Sequence, residues 1–113
     1  MHLPYIRLVF KDRPVKLVPL MVGHVPDASF ERYGGVLAKY LVDPESLFVV
    51  STDFCHWGKR FQFTHTFEKG QPIHESITAL DRMGMDLIER HDLPGFTHYL
   101  ETLENTICGR MPL

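Results

Sequence analysis

The stretch Leu47-Phe48-Val49-Val50-Ser51-Thr52-Asp53-Phe54-Cys55-His56-Trp57-Gly58 governs the reading of this sequence. Four apolar residues run without a break and then give way to an acid, a thiol and an imidazole within four positions. An uninterrupted Leu-Phe-Val-Val run fits a strand covered on both faces, as in a parallel sheet. Open α/β sheets bind ligands at the carboxyl ends of their strands. Asp53, Cys55 and His56 therefore stand where chemistry is expected.

Working outward, Val15-Lys16-Leu17-Val18-Pro19-Leu20-Met21-Val22 reads as a second strand. Pro19 cannot donate to a ladder, which assigns it an edge or an irregularity. Between the two lies a helix capped by Asp27 or Ser29, with Phe30, Tyr33, Leu37, Tyr40 and Leu41 on one face and an end near Val42. Gly34-Gly35 inside it predicts close packing against a neighbour, because each glycine costs a helix roughly 1 kcal/mol relative to alanine. Strand, helix and strand with short links make a βαβ unit. Residues 4–10 are undecided between a helical turn and a short strand.

Downstream, Lys59 to Pro72 reads as a long irregular segment, either functional or a packed cover. A second amphipathic helix is expected from about His74 to His91, broken by Asp92-Leu93-Pro94-Gly95, and a shorter one carries Phe96, Tyr99, Leu100 and Leu103. Glu104 to Gly109 reads as a loop in which Asn105 or Thr106 could cap a further helix. Two strands make no satisfactory sheet by themselves, so the pattern predicts an α/β fold present as one incomplete domain over residues 1–113. The abrupt start and stop point the same way, to a piece of a longer protein.

Composition narrows the function. Of the 113 residues 44% are apolar and 23% charged, with a net charge of -2, which is ordinary for a globular domain. No like-charge run marks a nucleic-acid or anionic-membrane surface, and no apolar segment approaches a spanning length. The N-terminus has no signal-peptide pattern. Two cysteines are too few for a disulfide scaffold, which points to a reducing, cytoplasmic setting. There is no nucleophile elbow, phosphate loop or dinucleotide fingerprint.

Asp53-x-x-His56 offers a carboxylate and an imidazole that can converge on one cation. Iron and zinc accept that mixture, and an added thiolate favours copper, zinc or iron. The competing reading is structural: Asp53 caps the turn and His56 packs on Trp57. Cys108, followed by glycine at an expected helix start, has the setting of a reactive thiol; its plain alternative is a small buried apolar residue. His24 ends the other strand and could face the same crevice, though a solvated loop position fits it better. His65, His74, His91 and His98 read as surface residues. Trp57 with Phe54, Phe61 and Phe63 could line a ligand pocket or pack under the long loop.

The segment from Leu47 to Gly58 closely resembles the signature of the Memo family, associated with receptor-driven cell motility. The resemblance continues through Leu80-Asp81-Arg82-Met83-Gly84-Met85 and Asn105-Thr106-Ile107-Cys108-Gly109-Arg110. It takes in Met1-His2-Leu3-Pro4-Tyr5 and Val18-Pro19-Leu20-Met21-Val22-Gly23 as well, and so covers essentially the whole chain. It implies a sandwich similar to the class III extradiol dioxygenases, with mostly parallel strands and flanking helices. It implies a pocket in which Asp53, His56 and Cys108 bind iron or copper together with two histidines from an N-terminal half, and a ligand pocket of Asp53, His56, Trp57 and Cys108. It further implies a cytosolic signalling adaptor, with nuclear presence also allowed, that links receptor tyrosine kinases to the cytoskeleton and recognises phosphotyrosine-containing peptide or a receptor tail. No nucleic acid and no membrane insertion belong to that picture. Here the N-terminal half is missing, so metal binding is expected to be weak. Two alternatives stand beside the adaptor: a non-haem iron or copper redox enzyme related to the extradiol dioxygenases, and a truncated product without function. Whether turnover occurs is left open.

Overall fold

The computed structural model of the chain describes residues 2–113, the side chain of Asp27 excepted. Of the family-like segment at the N-terminus only positions 2–5 are therefore in view, and Asp27 as a capping side chain lies outside the described residues. The chain divides into two compact units, one ending at Ser51 and one running Thr52–Met111.

The first unit holds α1, Leu3–Val9, and α2, Phe30–Leu41, the latter preceded by a 3-10 turn at Asp27–Ser29. Residues 3–9 thus resolve as helix, with Pro4 in the first turn, where its missing N–H costs nothing. Ser29 is the N-cap of α2 but makes no side-chain capping bond, and Glu31 complements the helix dipole instead. Beyond α2 the Asp43 carboxylate accepts from the Glu45 N–H at 3.0 Å and the Ser46 hydroxyl at 2.8 Å. These bonds hold its pKa below the ordinary value, and the turn they make stops the helix. The glycine pair does not serve close packing: a Cβ built on Gly34 or Gly35 meets nothing within 4 Å.

The expected strands do not form. Among the described residues no strand is present, and residues 15–22 and 47–50 run as irregular chain. The βαβ unit and the sandwich are therefore not seen in this chain. The physical reason lies in the nature of parallel pairing, which needs both faces of the sheet covered. A two-stranded ribbon is marginal even in the easier antiparallel case. Here α2 contributes no buried residue that could provide such cover.

The second unit has a core. Phe63, Leu80, Phe96, Tyr99 and Ile107 are buried together, with Phe54, Trp57, Leu87 and Leu100 among the residues packed against them. The main elements are α3, Ile73–Glu89, and α4, Leu93–Leu103. The α3 stripe of Ser76, Leu80 and Gly84 is the buried one. Gly84 brings the helices together, since a Cβ there would lie 3.1 Å from the Tyr99 ring.

The link between α3 and α4 is tighter than the run Asp92-Leu93-Pro94-Gly95 predicts. His91 takes a left-handed conformation (φ 53°), its N–H bonding the Ile88 carbonyl at 2.9 Å while the Asp92 N–H bonds that of Leu87 at 3.0 Å. This is a Schellman cap with histidine in the position that glycine usually fills. The Asp92 carboxylate then accepts from the Gly95 N–H at 2.9 Å and caps α4. The helices do break here, at residues 90–92, and Leu93-Pro94-Gly95 already forms the first turn of α4. A Cβ on Gly95 would sit 2.5 Å from Asp92 Oδ2, so the cap needs glycine there.

The 59–72 segment acts as packed cover. A short bridge pairs Gly58 with Phe63 around a 3-10 turn at Lys59–Phe61, and Phe63 is buried. The Trp57 indole N–H donates to the His65 carbonyl at 2.9 Å. His65 is not the surface residue expected: it is half-buried, its ring meets Phe67 edge-on at 4.9 Å, and its Nε2 is buried without a hydrogen-bond partner. His74, His91 and His98 are exposed, as expected.

Candidate metal centre

Two stretches far apart in sequence run side by side in the second unit, residues 52–56 and 105–109. The Cys108 N–H donates to the Asp53 carbonyl at 3.2 Å, and the Asp53 N–H donates to Cys108 Sγ at 3.3 Å. The Gly109 N–H donates to Thr52 Oγ1 at 3.2 Å. Thr106 makes the closest junction: its hydroxyl accepts from the His56 N–H at 2.7 Å and donates to the His56 carbonyl at 2.9 Å.

These bonds gather one carboxylate, one imidazole and one thiol. The candidate ligand atoms of Asp53, His56 and Cys108 all lie within 4.8 Å of one another. His56 Nε2 is 3.8 Å from Asp53 Oδ2. That is too long for a hydrogen bond, but ligands of a single tetrahedral ion at 2.0–2.3 Å stand about 3.5 Å apart. The imidazole–carboxylate pair is close to that spacing, and the thiol completes a group spread over no more than 4.8 Å.

The imidazole is also held in the right sense. His56 Nδ1 lies 2.7 Å from the Thr106 carbonyl, which can only accept, so Nδ1 carries the proton. Neutral His56 then keeps its lone pair on Nε2, the atom nearer Asp53. A histidine whose second nitrogen donates to a backbone carbonyl is the usual arrangement of a metal ligand. The His56 side chain is 27% exposed and that of Asp53 80%, so the group sits at the surface with its histidine partly sheltered. Phe61 supplies part of the shelter, its ring centroid 5.2 Å from that of His56. The donor set suits a borderline or soft cation such as iron, zinc or copper.

Cys108 reaches this group without the expected helix start, and the remaining sequence candidates differ from it in setting. Cys108 is exposed and lies in a turn; among the described residues no helix begins there, and Asn105 and Thr106 are engaged otherwise than as helix caps. Cys55 is half-buried, and burial followed by the nearby Asp81 charge pushes its thiol above the ordinary pKa, which disfavours the reactive thiolate. Both cysteines are free. The indole N–H of Trp57 is committed to the cover loop. His24 belongs to the first unit.

Thr106, Asp81, Asn105 and Tyr99 escape a sequence-only search. Tyr99 donates to the Leu80 carbonyl at 2.9 Å, and Asn105 Nδ2 donates to Tyr99 at 2.6 Å and to Asp81 at 2.9 Å. Turning the Asn105 amide over would set its oxygen against the Asp81 carboxylate, which fixes the orientation. One signal was available: Asp81 adjoins Leu80 on the α3 stripe, where an acid is out of place unless it has partners.

Tyr99 has a pH consequence. Burial raises its pKa above the ordinary value of 10.0, although the bond from Asn105 acts in the other direction. The folded state therefore favours the protonated phenol. Its contribution to stability is fully present below about pH 10 and falls as pH rises through the folded-state value. In a titration followed by tyrosinate absorbance, Tyr99 is expected to ionise above the ordinary tyrosine range, together with alkaline loss of helix. A Tyr99→Phe chain that loses helix over the same alkaline range as the parent would contradict this.

The sequence matches the family profile described as Memo-like protein over residues 1–113. It is 44% identical over 115 residues to Protein MEMO1 of Xenopus laevis, which covers 100% of this chain and 39% of that protein. Protein MEMO1 of Homo sapiens is 43% identical over 115 residues, with the same coverage. Protein memo-1 homolog of Caenorhabditis elegans is 43% identical over 114 residues, 33% of its length. The chain thus spans about two-fifths of the length of the vertebrate relatives it matches.

Proposed function

This chain belongs to the Memo family, and from that premise we propose that it supplies one wall of a metal-binding pocket, with Asp53, His56 and Cys108 as ligands to iron or copper. The protein it represents is read as a cytosolic signalling adaptor that links receptor tyrosine kinases to the cytoskeleton and cell migration, with a phosphotyrosine-containing peptide as partner. The sandwich related to the extradiol dioxygenases belongs to the same reading, as the setting in which residues 15–22 and 47–50 would find strand partners. The single observation that carries the metal assignment is the convergence of three unlike donors within 4.8 Å across more than fifty residues of sequence.

The bound ion would supply Lewis acidity or a redox couple. The chain's own part is to offer the donors, fix the histidine tautomer through Thr106 and leave the carboxylate open to solvent. One histidine, one carboxylate and one thiol differ from the two-histidine, one-carboxylate triad of non-haem iron oxygenases. That difference favours the adaptor over the redox enzyme.

Titration of the chain with Cu(I) and with Fe(II) against competing chelators tests the assignment. Binding is expected to be weak, because one wall of three ligands holds an ion less firmly than a closed set. His56→Ala and Cys108→Ser are each expected to lower affinity by about tenfold or more. Unchanged affinity in both would overturn the metal site.

A further inference from the structure

We propose that Asp81, on α3, is the positioning residue that keeps the two arms of the candidate metal centre in register; this rests on the reading of Asp53, His56 and Cys108 as ligands. Its carboxylate accepts from one group on each arm. In the first arm the Cys55 N–H lies 3.2 Å from Oδ1 and 3.4 Å from Oδ2. In the second, Asn105 Nδ2 lies 2.9 Å from Oδ1. Both contacts adjoin the site: Cys55 precedes His56, and Asn105 precedes Thr106, whose carbonyl orients the His56 ring.

The anchor itself is rigid. Asp81 sits on the central turns of a 17-residue helix. Asn105 is only 1% exposed and is tied through Tyr99 to the Leu80 carbonyl, the neighbouring position on α3. Two consecutive residues of α3 thus define where the second arm lies, and the Asp81 carboxylate adds the first arm to the same frame. Hydrogen bonds to an ionised acceptor are stronger than neutral ones. Without Asp81 two donors lose their acceptor, one of them on a buried side chain. Binding sites tolerate misplacement of only about 0.5 Å, so loosening either arm weakens the convergence of Nε2, Oδ2 and Sγ.

Asp81 could instead act on a bound cation simply as a nearby negative charge. Three substitutions separate the two roles. Asp81→Asn removes the charge but keeps one carbonyl oxygen able to accept from both donors. Asp81→Glu keeps the charge, and does not weaken the helix, but displaces the carboxylate by one methylene. Asp81→Ala removes both. Cu(I) affinity of the chain and amide hydrogen exchange at His56 and Cys108 are the two readouts; neither amide bonds to Asp81, so their protection reports the register of the arms.

Positioning predicts that Asn stays within about threefold of the parent affinity, Glu falls about tenfold, and Ala falls about 10- to 100-fold. Exchange at His56 and Cys108 should quicken in Glu and Ala while mid-α3 amides keep their protection. If Ala fails to fold, the Glu and Asn pair still decides the matter. Parent-like affinity in Glu with loss in Asn would assign the role to charge and overturn the proposal, as would parent-like exchange in Glu and Ala. Should the parent itself not take up Cu(I), the metal reading fails, and exchange at His56 and Cys108 alone upholds or overturns Asp81 as the residue setting the arms.

Discussion

Leu80→Ala is expected to lower the thermal midpoint of the second unit by at least about 10 °C, read by helical circular dichroism. Leu80 is 1% exposed and belongs to a small core whose other buried apolar members, among the described residues, are Phe63, Phe96, Tyr99 and Ile107. Leu→Ala at a buried site costs about 2–5 kcal/mol, the upper part of the range applying where the cavity cannot collapse. Whole domains are stable by about 5–15 kcal/mol, and small ones lie near the bottom of that range. For a unit of this size each kcal/mol moves the midpoint by about 4–8 °C. The substitution also loosens the packing beneath the Leu80 carbonyl that accepts from Tyr99. A shift under about 3 °C would mean that α3 and α4 are not packed as described.

The second large effect concerns association. Val49→Lys is expected to suppress self-association of the chain, followed by light scattering at raised concentration, while leaving its stability within about 0.5 kcal/mol. The run Leu47-Phe48-Val49-Val50-Ser51-Thr52 has high β-propensity, no charge and no proline, which is the composition of an aggregation-prone segment. Residues 47–50 of it are unpaired, and Val49 is 53% exposed. The other exposed run, residues 15–22, carries Lys16 and Pro19, which blunt pairing; Met21 within it is 100% exposed. Val18→Lys is therefore expected to matter less than Val49→Lys. Equal suppression by both, or by neither, would show that association does not start at residues 47–52.

The helices were legible in the sequence because their signals are local. The stripe of Ile73, Ile77, Leu80, Leu87 and Ile88 needs no partner to be read, and α3 begins one residue from the expected start. The break between α3 and α4 is legible too, but it is shorter than the run Asp92-Leu93-Pro94-Gly95 suggests, because proline and glycine break a helix in its interior yet suit its first turn once Asp92 caps it. The strands were a different matter. An apolar run states that a segment wants cover, not that the cover is present, and residues 15–22 and 47–50 remain unpaired here.

The candidate site divides along the same line. Asp53 and His56 are visible as polar residues closing an apolar run. Cys108 joined them through family resemblance, and the geometry now brings it to them through two bonds with Asp53. Thr106 and Asp81 act on partners fifty and twenty-six positions away, a distance at which no spacing rule operates.

The most direct measurement is X-ray absorption at the metal edge of the Cu(I)-loaded chain. The predicted result is a mixed shell containing one sulfur scatterer and nitrogen or oxygen neighbours, with the sulfur lost in Cys108→Ser and the imidazole multiple scattering lost in His56→Ala. A shell of nitrogen and oxygen alone in the parent, or spectra unchanged by both substitutions, would contradict a metal centre built from Asp53, His56 and Cys108.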